Sequence, residues 1–341
     1  MSSNEGSGAV YVQTNEPENT VITFRRGPEG ALERIGDYVT GGAGSGAAHL
    51  PSQGSLSLSG DGRRLLVTNA ASGDVSLFTV SADGLELLQT RSTGEAPRSI
   101  AEHDGLVYVL NAGDPSLVGF RLAADGLEPL AGSRTELPSD ADPAQVGFTP
   151  DGSKVVVTER GTNAIAFYAV GSDGRLGDLH VTPSSGPTPY GFAFANGGVL
   201  VVTEAFGAQK GKAAASSYVV SNGSATPVSR SVGNGRSEIC WAVASGDGRY
   251  AFTTNFADGA VSRYAIEADG SLALEDAVAG TAIDGATGLR DEDISRDGRF
   301  LYAIDADSRR IFGWGIGNGG QLSPLGSWEG LPETVAGLAA S

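Results

Sequence analysis

Seven polar side chains recur at one place in a repeating pattern, at the end of a short run rich in β-branched residues. They are Asn15, Asn69, Asn111, Glu159, Glu204, Asn255 and Asp305. Glu159 and Glu204 belong to consecutive repeats, and two carboxyl groups held close together separate into an acid and a base because one pKa rises. Side chains at strand ends also cap the following turn, and Arg160 offers Glu159 a simple ion pair. We therefore expect Glu159 and Glu204 to be catalytic, with turn capping as the alternative.

A second polar and aromatic group occupies the segments that lead into each new repeat. Its members are His49, Arg98, Gln145, Tyr190 and Trp241. Together with Arg160 and Asn255, Arg98 has the donors to orient a ligand's carbonyl or carboxylate group. His49 is either an acid–base residue or a solvated surface histidine. The aromatic side chains suit a binding surface, since aromatic residues dominate binding hot spots. These residues predict a small-molecule site, with a protein partner as an alternative.

The densest acidic point is the run Asp291-Glu292-Asp293. Carboxylate oxygens are ligands for Ca²⁺ or another hard divalent cation, and Asp291, Asp293 and Asp305 could form such a site. Alternate residues on a strand point to opposite faces, so at most two of the three consecutive carboxylates converge on one ion. Arg290 and Arg98 could instead compensate their charge. A metal is therefore an alternative, and the main expectation is a site without metal or cofactor.

These residues are positioned by a repeat that covers the whole chain. Two-residue turns recur every 43 to 51 residues, at Asp61-Gly62, Asp104-Gly105, Asp151-Gly152, Asn196-Gly197, Asp247-Gly248 and Asp297-Gly298. Such dipeptides suit tight hairpins because glycine accepts a positive φ, and the spacing is typical of a four-stranded propeller blade. Each turn is followed by alternating apolar runs of strand length. The sequence thus predicts an all-β, seven-bladed propeller of four-stranded antiparallel blades.

The two ends of the chain predict how this ring closes. Residues 10–15 and 21–25 look like a second and a third strand without a first strand before them, whereas residues 334–340 look like an inner strand without a partner. Pairing the last strand with the first ones removes the open edges. We expect one domain over residues 1–341, with 1–8 as a flexible N-terminal tail. The candidate residues then share the channel mouth opposite the Asp-Gly hairpins.

The composition of the chain limits the classes of partner that it can bind. The chain has 23 Lys and Arg against 40 Asp and Glu, a formal charge of −17. A surface of this sign repels nucleic acid and anionic membranes, and it also serves solubility. Cys240 is the only cysteine, so an intrachain disulfide is excluded. No basic and apolar leader is present, which predicts a cytoplasmic protein.

Several phrases resemble the seven-bladed propeller lactonases, the 6-phosphogluconolactonase-type and 3-carboxymuconate lactonising enzymes. These phrases are Phe148-Thr149-Pro150-Asp151-Gly152, Val201-Val202-Thr203-Glu204, Ala268-Asp269-Gly270-Ser271-Leu272, and the segment from Ser295 to Tyr302. The resemblance covers nearly the whole chain and implies hydrolysis or cycloisomerisation of a small carboxylated lactone. Glu204 matches a glutamate of the family. Where family members carry His-rich and Arg/His segments, this chain reads 140–145 and 186–191, without His or Arg.

Three functions remain open at this stage. The first is a lactonase or cycloisomerase that uses Glu204 and Glu159 as acid and base, which needs no cofactor because a base and positioned donors suffice. The second is a non-catalytic propeller that binds a small molecule or a protein on the same face. The third is a metal-assisted hydrolase built on the acidic residues named above.

Overall fold

The computed structural model describes residues 7–48, 50–51, 53–221 and 224–341, and they form seven antiparallel blades around a central channel. Blade 7 contains β1 (Gly8–Gln13), β2 (Thr20–Arg26) and β3 (Leu32–Val39). Blade 1 contains β4 (Leu56–Leu58), β5 (Arg64–Asn69), β6 (Asp74–Ser81) and β7 (Gly84–Ser92). Blade 2 contains β8 (Pro97–His103), β9 (Leu106–Asn111), β10 (Ser116–Ala123), and β11 (Gly126–Pro129) and β12 (Thr135–Glu136), which both pair with β10.

The remaining blades have four strands each. Blade 3 contains β13 (Pro143–Phe148), β14 (Lys154–Glu159), β15 (Ala164–Val170) and β16 (Leu176–Pro183). Blade 4 contains β17 (Pro189–Ala195), β18 (Val199–Glu204), β19 (Ala214–Ser221) and β20 (Ser224–Gly233). Blade 5 contains β21 (Ile239–Ala244), β22 (Tyr250–Asn255), β23 (Ala260–Ile266) and β24 (Leu272–Thr281). Blade 6 contains β25 (Leu289–Ile294), β26 (Phe300–Asp305), β27 (Arg310–Ile316) and β28 (Leu322–Glu329), and the last strand is β29 (Leu338–Ala340).

The ring closes as the sequence predicts, through the last strand of the chain. β29 is the inner strand of blade 7 and pairs antiparallel with β1, with Val10 opposite Ala340 and Val12 opposite Leu338. The inner strands contact one another in a complete circle from β4 back to β29. The seven-bladed all-β prediction is therefore confirmed. β1 begins at Gly8, inside the predicted tail, and residues 1–6 lie outside the described residues.

The apolar core is divided among the seven interfaces between blades. At the interface of blades 6 and 7, Val10, Val12 and Ile22 pack against Phe300 and Tyr302. Equivalent clusters fill the other six interfaces. Successive side chains of a strand point to opposite faces of its sheet, and each face packs against a neighbouring blade. Both faces of every sheet are therefore buried.

Four of the hairpins between first and second strands share a hydrogen-bonded turn. A hydroxyl donates to the aspartate carboxylate two residues later, with distances of 2.7, 2.7, 2.6 and 2.6 Å. The pairs are Ser59–Asp61, Thr149–Asp151, Ser245–Asp247 and Ser295–Asp297. The glycine that follows each aspartate has a φ between 66 and 74°, the left-handed region that glycine accepts without strain. The Asp-Gly signal in the sequence thus has a local physical cause.

Helix is almost absent from the described residues. Two single 3₁₀ turns occur, at Asn196–Gly198 and Phe206–Ala208. In the described part of the chain, no helix is long and apolar enough to cross a membrane.

Replacing Leu338, on the strand that closes the ring, tests how much the packing of this strand stabilises the fold. Leu338 is 3% exposed and packs in the core between blades 6 and 7. We expect Leu338→Ala to lower the free energy of unfolding by about 2–5 kcal/mol, since a buried cavity is left behind. The matched control is Leu179→Ala, because Leu179 is 50% exposed and its loss should cost less than about 0.5 kcal/mol. Equal losses in denaturant titrations of the two variants would contradict the role of Leu338.

Candidate functional site

A repeated β-bulge shapes one end of the channel. The first-to-second strand register shifts directly after the first residue or two of β8, β13, β17, β21 and β25. The residue before each strand has a positive φ, at Ala96, Asp142, Thr188, Glu238 and Gly288. A bulge turns its extra residue out of the ladder and re-aims its side chain. The chain therefore repeats one irregularity where the inner strands begin, which is the mouth opposite the Asp-Gly hairpins.

Three arginines lie near one tyrosine at this mouth. Tyr190 lies in the bulge of β17, and the positive charges of Arg98, Arg160 and Arg290 act on its hydroxyl. The Arg160 guanidinium lies 4.9 Å from the centre of the Tyr190 ring. We call these four residues the arginine mouth. Arg98, Arg160 and Tyr190 were sequence candidates, and the structure brings them together.

The Tyr190 hydroxyl is buried and lacks a hydrogen-bond partner among the described residues. Burial raises its pKa far above the usual range, although the three arginines oppose that shift. The phenol therefore keeps its proton and is available as a donor at any ordinary pH. Trp241 packs beside it, with ring centroids 5.7 Å apart and only 1% of the residue exposed. Cys240 is buried in the same cluster, and burial raises the pKa of its thiol, as expected for inert core.

Asp142 ties two of the arginines together. Its Oδ1 accepts from Arg160 Nη2 at 2.6 Å and from Arg98 Nη1 at 3.4 Å. Arg98 also donates to the Pro143 carbonyl at 3.1 Å. The side chains of Arg98 and Arg160 are 16% and 15% exposed, whereas that of Asp142 is 53% exposed. A solvent-accessible carboxylate therefore lies beside two largely buried guanidinium groups.

Arg290 is the arginine that sequence reasoning did not assign to the site. Its Nη1 donates to the Ala48 carbonyl at 2.7 Å, and its guanidinium lies 5.5 Å from the ring centre of Phe256. Burial is the main cause that lowers its pKa, and the same holds for Arg98, where Arg160 adds repulsion. Arg290 lies in the bulge of β25 at the position that Arg98 and Tyr190 have in β8 and β17, and this equivalence in the repeat is the signal that could have identified it.

The side chain of Gln53 crosses the channel next to the arginine mouth. Its side-chain amide reaches across the channel from blade 1 to blade 5, where Nε2 donates to the Ala242 carbonyl at 2.7 Å and Oε1 accepts from the Ala242 amide at 3.0 Å. A Cβ on Gly191 would lie 2.3 Å from Gln53 Oε1, so a glycine is required beside Tyr190 for this crossing. Gln145 makes the same paired contact with Phe192, at 3.1 and 2.6 Å. Gln145, predicted to bind ligand, therefore satisfies the backbone of the next blade.

Beside Gln53 lies a cavity of about 330 Å³ whose lining includes Asp291, Glu292 and Asp293. Burial raises the pKa of Asp291 to about 8, that of Asp293 to about 6, and that of Glu292 well above its usual value. Asp291 accepts from the Leu338 amide at 3.2 Å and Asp293 from the Ala340 amide at 2.8 Å. A second cavity of about 630 Å³, which shares Gln53, Asp293 and Arg296 with the first, leads towards the hairpin face.

Glu204 lies inside its own blade. It is fully buried, and its Oε1 accepts from Ser216 Oγ at 2.6 Å and from the Gly186 amide at 2.8 Å. Its Oε2 accepts from Ser231 Oγ at 2.7 Å. These bonds connect two strands of blade 4 to the segment before β17. The contacts are those of a structural anchor.

The other members of the predicted ring also bond locally. Glu159 Oε2 accepts from Thr162 Oγ1 at 2.5 Å, and burial raises the Glu159 pKa. Asn255 Nδ2 donates to Ser262 Oγ at 2.9 Å, and Asp305 Oδ1 accepts from the Ser308 amide at 2.8 Å. The contacts of Glu159 and Asp305 are with the turns that follow them, as the turn-capping alternative expects. His49 lies outside the described residues.

The acidic residues predicted as metal ligands do not meet at one point. Asp291 and Asp293 reach β29, whereas Asp305 stands at the end of β26 beside Gly288. Within the described residues, no three His, Cys, Asp or Glu side chains are arranged to hold a metal ion.

Known proteins resemble this chain in sequence pattern and in fold. A family model described as a seven-bladed β-propeller lactonase matches residues 4–127, 123–205 and 202–334. A search of the curated proteins found no match. A candidate 6-phosphogluconolactonase from Bacteroides fragilis superposes with a TM-score of 0.78 at 18% identity, over 99% of both chains. A periplasmic gluconolactonase from Pseudomonas aeruginosa gives 0.75 at 18% identity, over 98% of both chains. At these identities the structures show a shared fold.

The buried acids predict an unusual dependence of stability on pH. A carboxyl whose pKa is raised by folding binds its proton more tightly in the folded state, so stability falls as pH rises from about 4, its unfolded pKa, to about 8. We expect Asp291→Asn to make this fall shallower, because asparagine keeps the acceptor for Leu338. Glu292 and Asp293 keep part of the slope. Thermal melts between pH 4 and 9 measure it.

The control is Asp269→Asn, an exposed turn carboxyl whose pKa is lowered by hydrogen bonds from Ser271. Its profile should match the wild type in the window from pH 5 to 8. Parallel profiles for Asp291→Asn and the wild type would show that Asp291 does not titrate there.

Proposed function

The chain belongs to the seven-bladed β-propeller lactonase family, and we propose that it hydrolyses a small carboxylated lactone, or interconverts one by cycloisomerisation, at the arginine mouth. The observation that carries this proposal is the cluster at the mouth in which Asp142 joins Arg98 to Arg160 and the Arg160 guanidinium lies 4.9 Å from the ring centre of Tyr190. Clustered guanidinium groups repel one another, and an anion bound between them removes that cost.

The chemistry of the donors selects the substrate class. Guanidinium groups bind carboxylates through two parallel N–H donors, which fixes orientation as well as charge. The Tyr190 hydroxyl keeps its proton and suits a neutral acceptor such as a lactone carbonyl oxygen. A ligand with both an anionic group and an ester carbonyl uses both kinds of donor. The name of the Pseudomonas relative, a gluconolactonase, supports a lactone as the reacting group.

Hydrolysis needs a base for water and donors for the developing oxyanion. Asp142 supplies the base in this proposal, because half of its side chain is exposed and both arginines bind the same oxygen, Oδ1. Water attacks the lactone carbonyl and gives its proton to Asp142, while Tyr190 and an arginine donate to the oxyanion. Collapse of the intermediate breaks the ring C–O bond, and Asp142 returns its proton to the leaving oxygen. No cofactor takes part in these steps.

Glu204 and Glu159 are the rival acid–base pair. The several hydrogen bonds to Glu204 favour a structural role for that residue, whereas its match to a glutamate of the family and the raised pKa of Glu159 favour catalysis. The largely buried arginines also suit a second function, tight binding of an anion without turnover. Both alternatives are separated by the two experiments below.

Arg160→Gln tests anion recognition. Loss of one charged donor should lower kcat/KM for carboxylated lactones by about 10- to 100-fold, mainly through KM, and should leave uncharged lactones much less affected. Arg175→Gln is the control, because Arg175 is 53% exposed in a surface pair with Asp173. Equal losses on charged and uncharged lactones would contradict carboxylate binding. A ligand-induced thermal shift without turnover of any lactone would favour the non-catalytic function.

Asp142→Asn and Glu204→Gln separate the two possible bases. We expect Asp142→Asn to lower kcat by about 10²- to 10⁴-fold while the melting temperature changes little. We expect Glu204→Gln to keep kcat and to lower the melting temperature, because the new amide NH₂ faces N–H and O–H donors. Initial rates and melts on the same preparations give both readouts. The reverse pattern would return the catalytic role to Glu204.

A further inference from the structure

Thr188 has a backbone conformation that its own side chain disfavours. It directly precedes β17, and its φ is 59°. Branching at Cβ makes such a φ a genuine outlier, and Thr188 is the one β-branched residue with a positive φ in the described part of the chain. The next residue, Pro189, also favours an extended conformation at Thr188. The contacts that Thr188 makes must therefore offset this strain.

Hydrogen bonds to two neighbouring loops hold Thr188 in place. Its amide donates to Asn163 Oδ1 at 2.7 Å, from the loop between β14 and β15. Its carbonyl accepts from the Ala205 amide at 3.0 Å, and its Oγ1 accepts from the Gly207 amide at 3.0 Å, both from the loop between β18 and β19. All three polar groups of Thr188 are thus bonded to other segments, and the third bond requires the hydroxyl.

The loop that bonds the Thr188 hydroxyl is itself strained. Phe206, Gly207 and Ala208 have φ values of 50, 59 and 61°, so three consecutive residues lie in the left-handed region and two of them carry a Cβ. Such conformations are unfavourable, and they persist where the surrounding structure imposes them, often at functional sites. The Phe206 amide also donates to the Pro187 carbonyl at 3.2 Å. Two strained segments therefore hold one another beside the arginine mouth.

This pair of segments controls the backbone at Tyr190. Thr188 lies two residues before Tyr190, at the start of the bulge in β17, and the ring of Pro189 fixes φ between them. After the bulge begins, Thr158 Oγ1 donates to the Tyr190 carbonyl at 2.5 Å. The backbone of Tyr190 is thus held from both sides, and its ring lies 4.9 Å from the Arg160 guanidinium.

We propose that Thr188 is a positioning residue for the reaction at the arginine mouth, and that its hydroxyl fixes the bulge that directs Tyr190 towards Arg160. This inference rests on the proposed function, in which the Tyr190 hydroxyl donates to the lactone carbonyl and to the developing oxyanion. Because such a donor acts most strongly in the transition state, displacing it by about 1 Å lowers kcat and leaves KM nearly unchanged.

Three substitutions separate the hydroxyl of Thr188 from its strain. Thr188→Ser keeps the hydroxyl and should stay within about threefold of the wild-type kcat on carboxylated lactones. Thr188→Ala removes the hydroxyl, and Thr188→Gly also removes the restraint on φ. We expect kcat to fall by about 10-fold and about 100-fold, respectively, with KM changed less than about threefold. Equal losses in all three variants would overturn the role of the hydroxyl, and losses confined to KM would overturn positioning.

A measurement without substrate separates this proposal from the proposed function. ¹⁹F NMR of the full chain with 3-fluorotyrosine at position 190 alone reports the surroundings of that ring. Thr188→Ser should keep the resonances of the parent protein, whereas Thr188→Gly should shift or broaden them, because the ring then exchanges between positions. Unchanged resonances in Thr188→Gly would overturn the proposal even where lactones are hydrolysed. If the wild type hydrolyses no lactone, the proposed function fails, and these resonances alone decide whether Thr188 positions Tyr190.

Melting temperatures separate positioning from a general loss of the fold. Thr188→Gly should melt within about 3 °C of the wild type, because glycine adopts a positive φ without strain and this gain offsets the lost hydrogen bond. Asp104→Gly is the matched control, since Asp104 has a φ of 48° in a hairpin on the opposite face, and its kcat and KM should equal those of the wild type. A large fall in the melting temperature of Thr188→Gly, or a loss of kcat in Asp104→Gly, would overturn the specific link to Tyr190.

Discussion

Each blade of a propeller leaves one strand edge that no further strand can cover. The inner strands face the channel with unpaired amides and carbonyls, and buried backbone groups must find partners. In this chain, side chains from other blades provide them: Gln53 pairs with Ala242, Gln145 with Phe192, and Asp291 and Asp293 with β29. This requirement determines which side chains line the channel. Glutamines and acids line it because each presents an oxygen to a free backbone N–H.

The same requirement places the side chain of Gln53 across the channel. Gln53 can reach blade 5 only because Gly191 leaves room for its amide group. On one side of this crossing, the bulges at the start of β17 and β25 present Tyr190 and Arg290. On the other side, Asp291, Glu292 and Asp293 are buried together and bind protons more tightly than free carboxyls do. Gln53 thus crosses the channel between the arginines of the mouth and the acidic residues of β25.

The sequence predicts the ring well because its signals are local. A hydroxyl, an aspartate and a glycine within four residues build four of the hairpins, and β29 completes the seventh blade. The candidate site was harder to predict, since its contacts are not local. Gln53 and Ala242 are 189 residues apart. Arg98, Arg160 and Tyr190 were identified from residue type alone, and their convergence depends on a bulge in which no single residue type recurs.

The glutamates show where residue type is ambiguous. A carboxylate at a strand end fits both an acid–base role and a hydrogen-bonded cap, and the partners of Glu204 become visible only when Ser231 and Gly186 are placed in space. A fully buried carboxylate that accepts hydrogen bonds on both oxygens is poorly placed to take a proton from water. Asp142 differs because solvent reaches it while arginines fix its position. What separates an acid that supports the fold from one able to react is therefore the set of partners around it.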